Sequence, residues 1–178
     1  MTDEAKYTLS PKKRFICNLI AAIGIFTCGA VLLVFGIIGN GVGVYVSQLI
    51  VPVILLTIGL IFMITSLIQM NTVTFYLAIV FLVCSLVSFL AHFTPLSYGM
   101  IYPLYIASPA IASLFTMIMS KEYAFHLRLI FLFAVPAVFF QLFATELWSL
   151  SVLVPVLLMY CGLVVLSFAL SANSVSEE

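Results

Sequence analysis

Six apolar runs decide most of what this chain can fold into: Phe15–Ile38, Leu49–Ile68, Val73–Phe93, Gly99–Met119, Leu127–Thr145 and Leu147–Ser171. About 20 mainly apolar residues are enough for a helix to cross the hydrocarbon of a bilayer. A soluble fold would need a polar exterior, and with 65% hydrophobic and 7% charged residues there is too little polar surface to build one. A membrane β-barrel would show ten-residue strands alternating apolar and polar, and these runs do not alternate. Inside lipid the backbone must satisfy its own hydrogen bonds, which a helix does segment by segment. The expected fold is therefore all-α: a polytopic membrane protein of six transmembrane helices. A polar tail (1–14) precedes one membrane domain (15–171), and a short tail (173–178) follows it. The first run is too long for the apolar core of a signal peptide, so it reads as a span.

Charge placement sets the expected orientation. Lys6, Lys12, Lys13, Arg14, Lys121 and Arg128 fall at the N-terminus and at the fourth connection. The connections around Asn40, Pro95 and Glu146 hold neither Lys nor Arg. Basic residues in short loops mark the cytoplasmic side, so both termini are expected in the cytoplasm, with a bacterial inner membrane as the default. Tyr45, Tyr98, Tyr102 and Trp148 are then expected at the outer interface. Cys17, Cys28, Cys84 and Cys161 lie within spans and form no metal or redox spacing, which suits small packing residues.

The spans also repeat. Aligned on Pro52, Pro103 and Pro155, the stretches recur at intervals of 51 and 52 residues, and each unit holds two spans. Seven positions after each proline stands a small residue, Gly59, Ala110 or Gly162. A period of this kind implies one structural unit copied along the chain. The units (about 15–71, 72–122 and 123–172) are hairpins of like orientation, and three of them predict a compact bundle with approximate threefold pseudo-symmetry. Small residues two turns apart mark the face where helix backbones approach, because association in lipid depends on close packing.

Two groups of residues are candidate sites. Thr57, Ser108 and Tyr160 stand five positions after the repeat prolines and could ring a polar path, although Ser and Thr in spans usually bond back to their own helix. Pro109 and Pro136 lie deep in spans, where each should free a backbone carbonyl. Residues 107–110 around Pro109 are therefore a candidate cavity wall or hinge. The second group, Lys121, Glu122, His126 and Arg128, is a polar cluster suited to docking a partner or a lipid headgroup at the cytoplasmic side.

Chemistry is otherwise sparse. Ionisable groups avoid the middle of the spans, and no metalloprotease, nucleophile-elbow or phosphate-loop pattern occurs. GNGVGVY at 39–45 follows a membrane helix rather than a strand, so it reads as a turn. The expectation is a protein that is not an enzyme and needs no cofactor, metal or nucleic acid. Its expected company is the lipid bilayer together with a membrane-protein partner or a second copy of itself. The alternative is a small transporter, channel or solute-binding subunit with a cavity between the hairpins.

The glycine spacing in GLIFMITS (Gly59, Ser66) and GLVVLSFA (Gly162, Ala169), with six spans in a chain of this size, resembles the HdeD-like family of small bacterial membrane proteins. The hairpins are also similar to the membrane segment of LiaF-type proteins. The resemblance implies an accessory role in acid or envelope stress without catalysis, and it implies no site residues.

Overall fold

A computed structural model of the chain describes residues 10–42, 46–95 and 97–175. Tyr45, most of the N-terminal tail and the end of the C-terminal tail lie outside the described residues, as does part of the 39–45 turn. The described residues form seven helices in order: α1 (Pro11–Val42), α2 (Val46–Gln69), α3 (Thr72–Phe93), α4 (Tyr98–Ile101), α5 (Pro103–Ser120), α6 (Tyr123–Ala144) and α7 (Leu150–Val175). Among the described residues six stretches are long and apolar enough to cross a membrane, with α4 and α5 together making the fourth. The chain is an all-helical integral membrane protein. The fourth span is divided at Tyr102 because Pro103, which has no amide to donate, opens α5. Pro52 and Pro155 fall in the second turn of α2 and α7.

The turns are tight and locally encoded. The Asn71 side chain caps α3 by accepting from the amides of Val73 (2.9 Å) and Thr74 (3.3 Å). Lys121 ends α5 in the left-handed conformation (φ 60°), and its amide bonds the carbonyl of Met117. Short connections make successive spans antiparallel. The start of α1, the α2–α3 turn, the α5–α6 turn and the last turn of α7 therefore share one end. Lys12, Lys13, Arg14, Lys121 and Arg128 are all at or near this end. Gln69, closing α2, donates to the sulfur of Cys17 near the start of α1 at 3.5 Å, as that arrangement requires.

The interior is built from small and hydroxyl-bearing residues. Ala78, Ser85 and Ser88 of α3 are buried, as are Ser108, Ala110, Ala112, Ser113 and Thr116 of α5 and Thr65 and Ser66 of α2. Large apolar side chains such as Phe26, Leu86, Phe115, Phe131 and Leu158 point outward. With lipid outside there is no hydrophobic reason to bury them, and helices associate where backbones can come close. At Gly59 a Cβ would stand 2.8 Å from Leu82 Cγ and 3.1 Å from the Leu82 backbone nitrogen, so α2 meets α3 there almost backbone to backbone. At Gly24 a Cβ would stand 2.7 Å from Ile61 Cδ1, which sets the α1–α2 approach. Cross-helix hydrogen bonds fix the register of the centre. The Ser85 hydroxyl donates to the Pro52 carbonyl at 2.8 Å, and the Ser88 and Tyr105 hydroxyls share a 2.8 Å bond. Cys84 Sγ donates to Ser108 Oγ at 3.4 Å.

The arrangement of the spans departs from the expected compact threefold bundle. Among the described residues, each long helix packs only on its neighbours in the chain: α1 on α2, α2 on α3, α3 on α5, α5 on α6, and α6 on α7. The spans form a row with an α2–α3–α5–α6 centre. Helix α7 touches only α6, and lightly. The small-residue stripe follows this division. Gly59 and Ala110 are buried, whereas Gly162 is exposed and a Cβ there would meet nothing within 4 Å. The third copy of the repeat thus keeps the pattern without the neighbour that explains it in the first two.

Candidate functional site

The three hydroxyls of the repeat do not form a ring. Thr57 donates to the carbonyl of Val53 on its own helix (2.8 Å) and lines an apolar groove of about 470 Å³ between α1 and α2. Ser108 is buried against α3, where it accepts from Cys84. The Tyr160 hydroxyl donates to the carbonyl of Phe131 at 2.6 Å, joining α7 to α6. Each hydroxyl serves a different interface, because the helices carrying them are not neighbours in the row.

The prolines deep in α5 and α6 behave as helix physics requires, and the carbonyl that Pro109 frees is met by a side chain. Pro109 removes the amide that would bond the carbonyl of Tyr105, and Ser108 Oγ takes that carbonyl at 2.7 Å. Phe131, whose carbonyl receives Tyr160, lies in the turn that Pro136 loosens. Residues 107–110 pack against neighbouring helices, and the cavities described here lie elsewhere.

The polar cluster of the α5–α6 turn is the productive region, in a different form from the one the sequence suggests. Helix α6 starts at Tyr123, so the following residues sit on defined faces instead of in a loop. Lys121 and Glu122 are exposed. Arg128 turns to the α7 side and lines a groove of about 440 Å³ with Phe131 and Tyr160. His126 turns to the opposite side and is buried, with 5% of its surface exposed. What reads as one docking patch is therefore two faces of α6.

On the His126 face is a cavity of about 380 Å³ between three helices. Helix α3 contributes Thr72, Val73 and Tyr76, α5 contributes Thr116, and the turn contributes Glu122. Phe125, His126, Leu129 and Phe133 come from α6. The spacing of Glu122, His126, Leu129 and Phe133 is one helical stripe, which continues to the buried Ala137. Phe125 packs edge-on to the imidazole, with ring centroids 5.4 Å apart. Thr116 donates its hydroxyl hydrogen to the carbonyl of Ala112 at 2.8 Å, leaving its oxygen lone pairs available.

Enclosed within the protein, His126 Nδ1 has no hydrogen-bond partner among the described residues. Ser113 lies beside Tyr76, one turn of α5 from Thr116. Elsewhere the buried hydroxyls are satisfied, Thr65 and Ser66 by their own helix and Ser85 and Ser88 across helices. This cavity, with Tyr76, Thr116, Glu122 and the buried His126 in its lining, is the candidate binding site.

Tyr76 and Thr116 are the members that sequence reasoning missed. The signal for Thr116 was available as Ser108–Ala112–Ser113–Thr116, a small and hydroxyl-bearing stripe at helical spacing within α5. No group of His, Cys, Asp or Glu suited to holding a metal occurs among the described residues. No family model, no curated protein and no solved structure matches this chain.

Proposed function

We propose that this integral membrane protein is non-catalytic and acts by interaction, receiving the polar group of a membrane-borne molecule in the α3–α5–α6 cavity. The observation that carries the reading is the cavity of about 380 Å³ at the basic end of the row, with Tyr76, Thr116, Glu122 and His126 in its lining. In the same reading the basic end faces the cytoplasm of a bacterial inner membrane. The accessory role in acid or envelope stress rests on the HdeD-like and LiaF-type resemblance alone. Transport would need the three repeat hydroxyls around one path, and their dispersal over three interfaces gives that alternative no support.

The test is retention of a guest. Native mass spectrometry of the gently extracted protein should show a co-purifying molecule in a one-to-one ratio. Leu129→Trp, which fills the cavity from its α6 wall, should abolish that retention while melting close to wild type. A wild-type chain that retains no more than Leu129→Trp does would sink the proposal.

A further inference from the structure

The groove on the opposite face of α6 has a chemistry of its own. It encloses about 440 Å³ between α6 and α7, where α7 packs only lightly on its neighbour. Far from the basic turn the two helices are joined by the Tyr160 bond to the Phe131 carbonyl. From there the groove runs towards the basic end, past Leu163 to Ser167 on α7 and to Leu127 and Arg128 on α6. Seven residues of α7 separate Tyr160 from Ser167, a run of about 10 Å at the helical rise. The walls are apolar, and Arg128 is the one charged side chain in the lining. Tyr160 and Ser167 have given their hydroxyl hydrogens to the carbonyls of Phe131 and Val164. The side-chain donor left to a guest is Arg128, which is exposed. Arg128 also interacts within the protein, and one partner does not exhaust the five N–H donors of a guanidinium. We propose that this groove binds an anionic phospholipid, with Arg128 holding the phosphate through paired N–H bonds and the first part of an acyl chain lying along Leu127, Phe131 and Leu163.

Charge selects the headgroup and the walls select a lipid. A zwitterionic head would bring its cation beside Arg128, and the lining has no carboxylate to receive it. Glu122, the acidic residue of the α5–α6 turn, lines the cavity on the other face of α6. A soluble phosphate would meet the same guanidinium but gain nothing from the apolar walls, so the occupant is the whole lipid. The site goes beyond the α3–α5–α6 reading and shares no lining residue with that cavity.

Delipidated full-length protein in detergent can be titrated by native mass spectrometry with phosphatidylglycerol and phosphatidylcholine of the same short chains. Phosphatidylglycerol should bind about fivefold more tightly, the worth of one basic side chain at a charged membrane surface. Arg128→Gln should remove that preference. Lys121→Gln, which loses a charge at the same end but outside the lining, should keep most of it. Val164→Trp, which fills the groove from its α7 wall, should weaken phosphatidylglycerol to the level of Arg128→Gln, and it keeps the test decisive should Arg128→Gln fail to fold. Glycerol 3-phosphate, a phosphate head without chains, should not compete. Equal binding of the two lipids, a preference that survives Arg128→Gln or Val164→Trp, or one that Lys121→Gln removes as fully, would overturn the assignment. Competition by glycerol 3-phosphate would overturn it too, by making the ligand a soluble phosphate. Leu129→Trp, which fills the other cavity, should leave the preference intact, and its loss there would move the lipid to the α3–α5–α6 side and end this proposal without touching that one.

Discussion

The α2–α3 and α6–α7 interfaces contain the same repeat position in opposite circumstances. At Gly59 the absent side chain lets α2 approach the Leu82 backbone, and the Ser85 bond to Pro52 locks the register. At Gly162 the absent side chain meets nothing, and α7 is tied to α6 by the Tyr160 bond to Phe131 and by the Phe139 ring against Tyr160. A duplicated pattern therefore identifies which residues share a helix face. It does not say whether a neighbouring helix is present to use that face. In lipid this matters more than in water, because an unpartnered small residue exposes no unfavourable surface and can persist.

The largest expected difference between these interfaces comes from substituting the glycines themselves. Gly59→Leu should destabilise the protein by about 1–3 kcal/mol, because the new side chain must displace α3 at Leu82. Gly162→Leu should change stability by no more than about 0.5 kcal/mol. Equilibrium unfolding in mixed micelles would measure both, and equal losses would erase the distinction. Amide hydrogen exchange in detergent should divide the same way, with α2, α3 and α5 protected well beyond α7. Uniform protection across all six spans would instead indicate a closed assembly.

Hydroxyl deletions should give a smaller graded effect. Ser85→Ala and Ser88→Ala each remove a cross-helix hydrogen bond at the centre and should cost about 0.6 kcal/mol, and up to about 1.7 kcal/mol. Thr57→Ala removes only a bond within its own helix and should be close to neutral. Tyr160→Phe should lie between them, since it frees α7 from the Phe131 carbonyl at the lightly packed edge. A Thr57→Ala loss as large as that of Ser85→Ala would mean that the hydroxyl has a role beyond the local bond.

Much of the fold was legible because its causes are local. Apolar runs of span length require helices, and the proline spacing placed Gly59 and Ala110 on packing faces where they are indeed buried. The row of spans was not legible, since it depends on contacts between units that a seven-residue spacing does not encode. The binding cavity was half legible. Glu122 and His126 stood out as polar residues near a turn, but reading the fifth span from Leu127 instead of Tyr123 left His126 outside the helix and hid the face it occupies. Tyr76 and Thr116 join it only because α5 packs on both α3 and α6.

The central claim is the row: spans that pack only on their chain neighbours. Spin labels at positions 57 and 160, in a chain with Cys17, Cys28, Cys84 and Cys161 replaced, measure it directly in lipid nanodiscs. Three spans stand between α2 and α7 in the row, and neighbouring helix axes lie about 8–10 Å apart. A pulsed electron resonance distance of about 20 Å or more is expected. A narrow distribution near 10 Å would place those helices side by side around one axis and contradict the account.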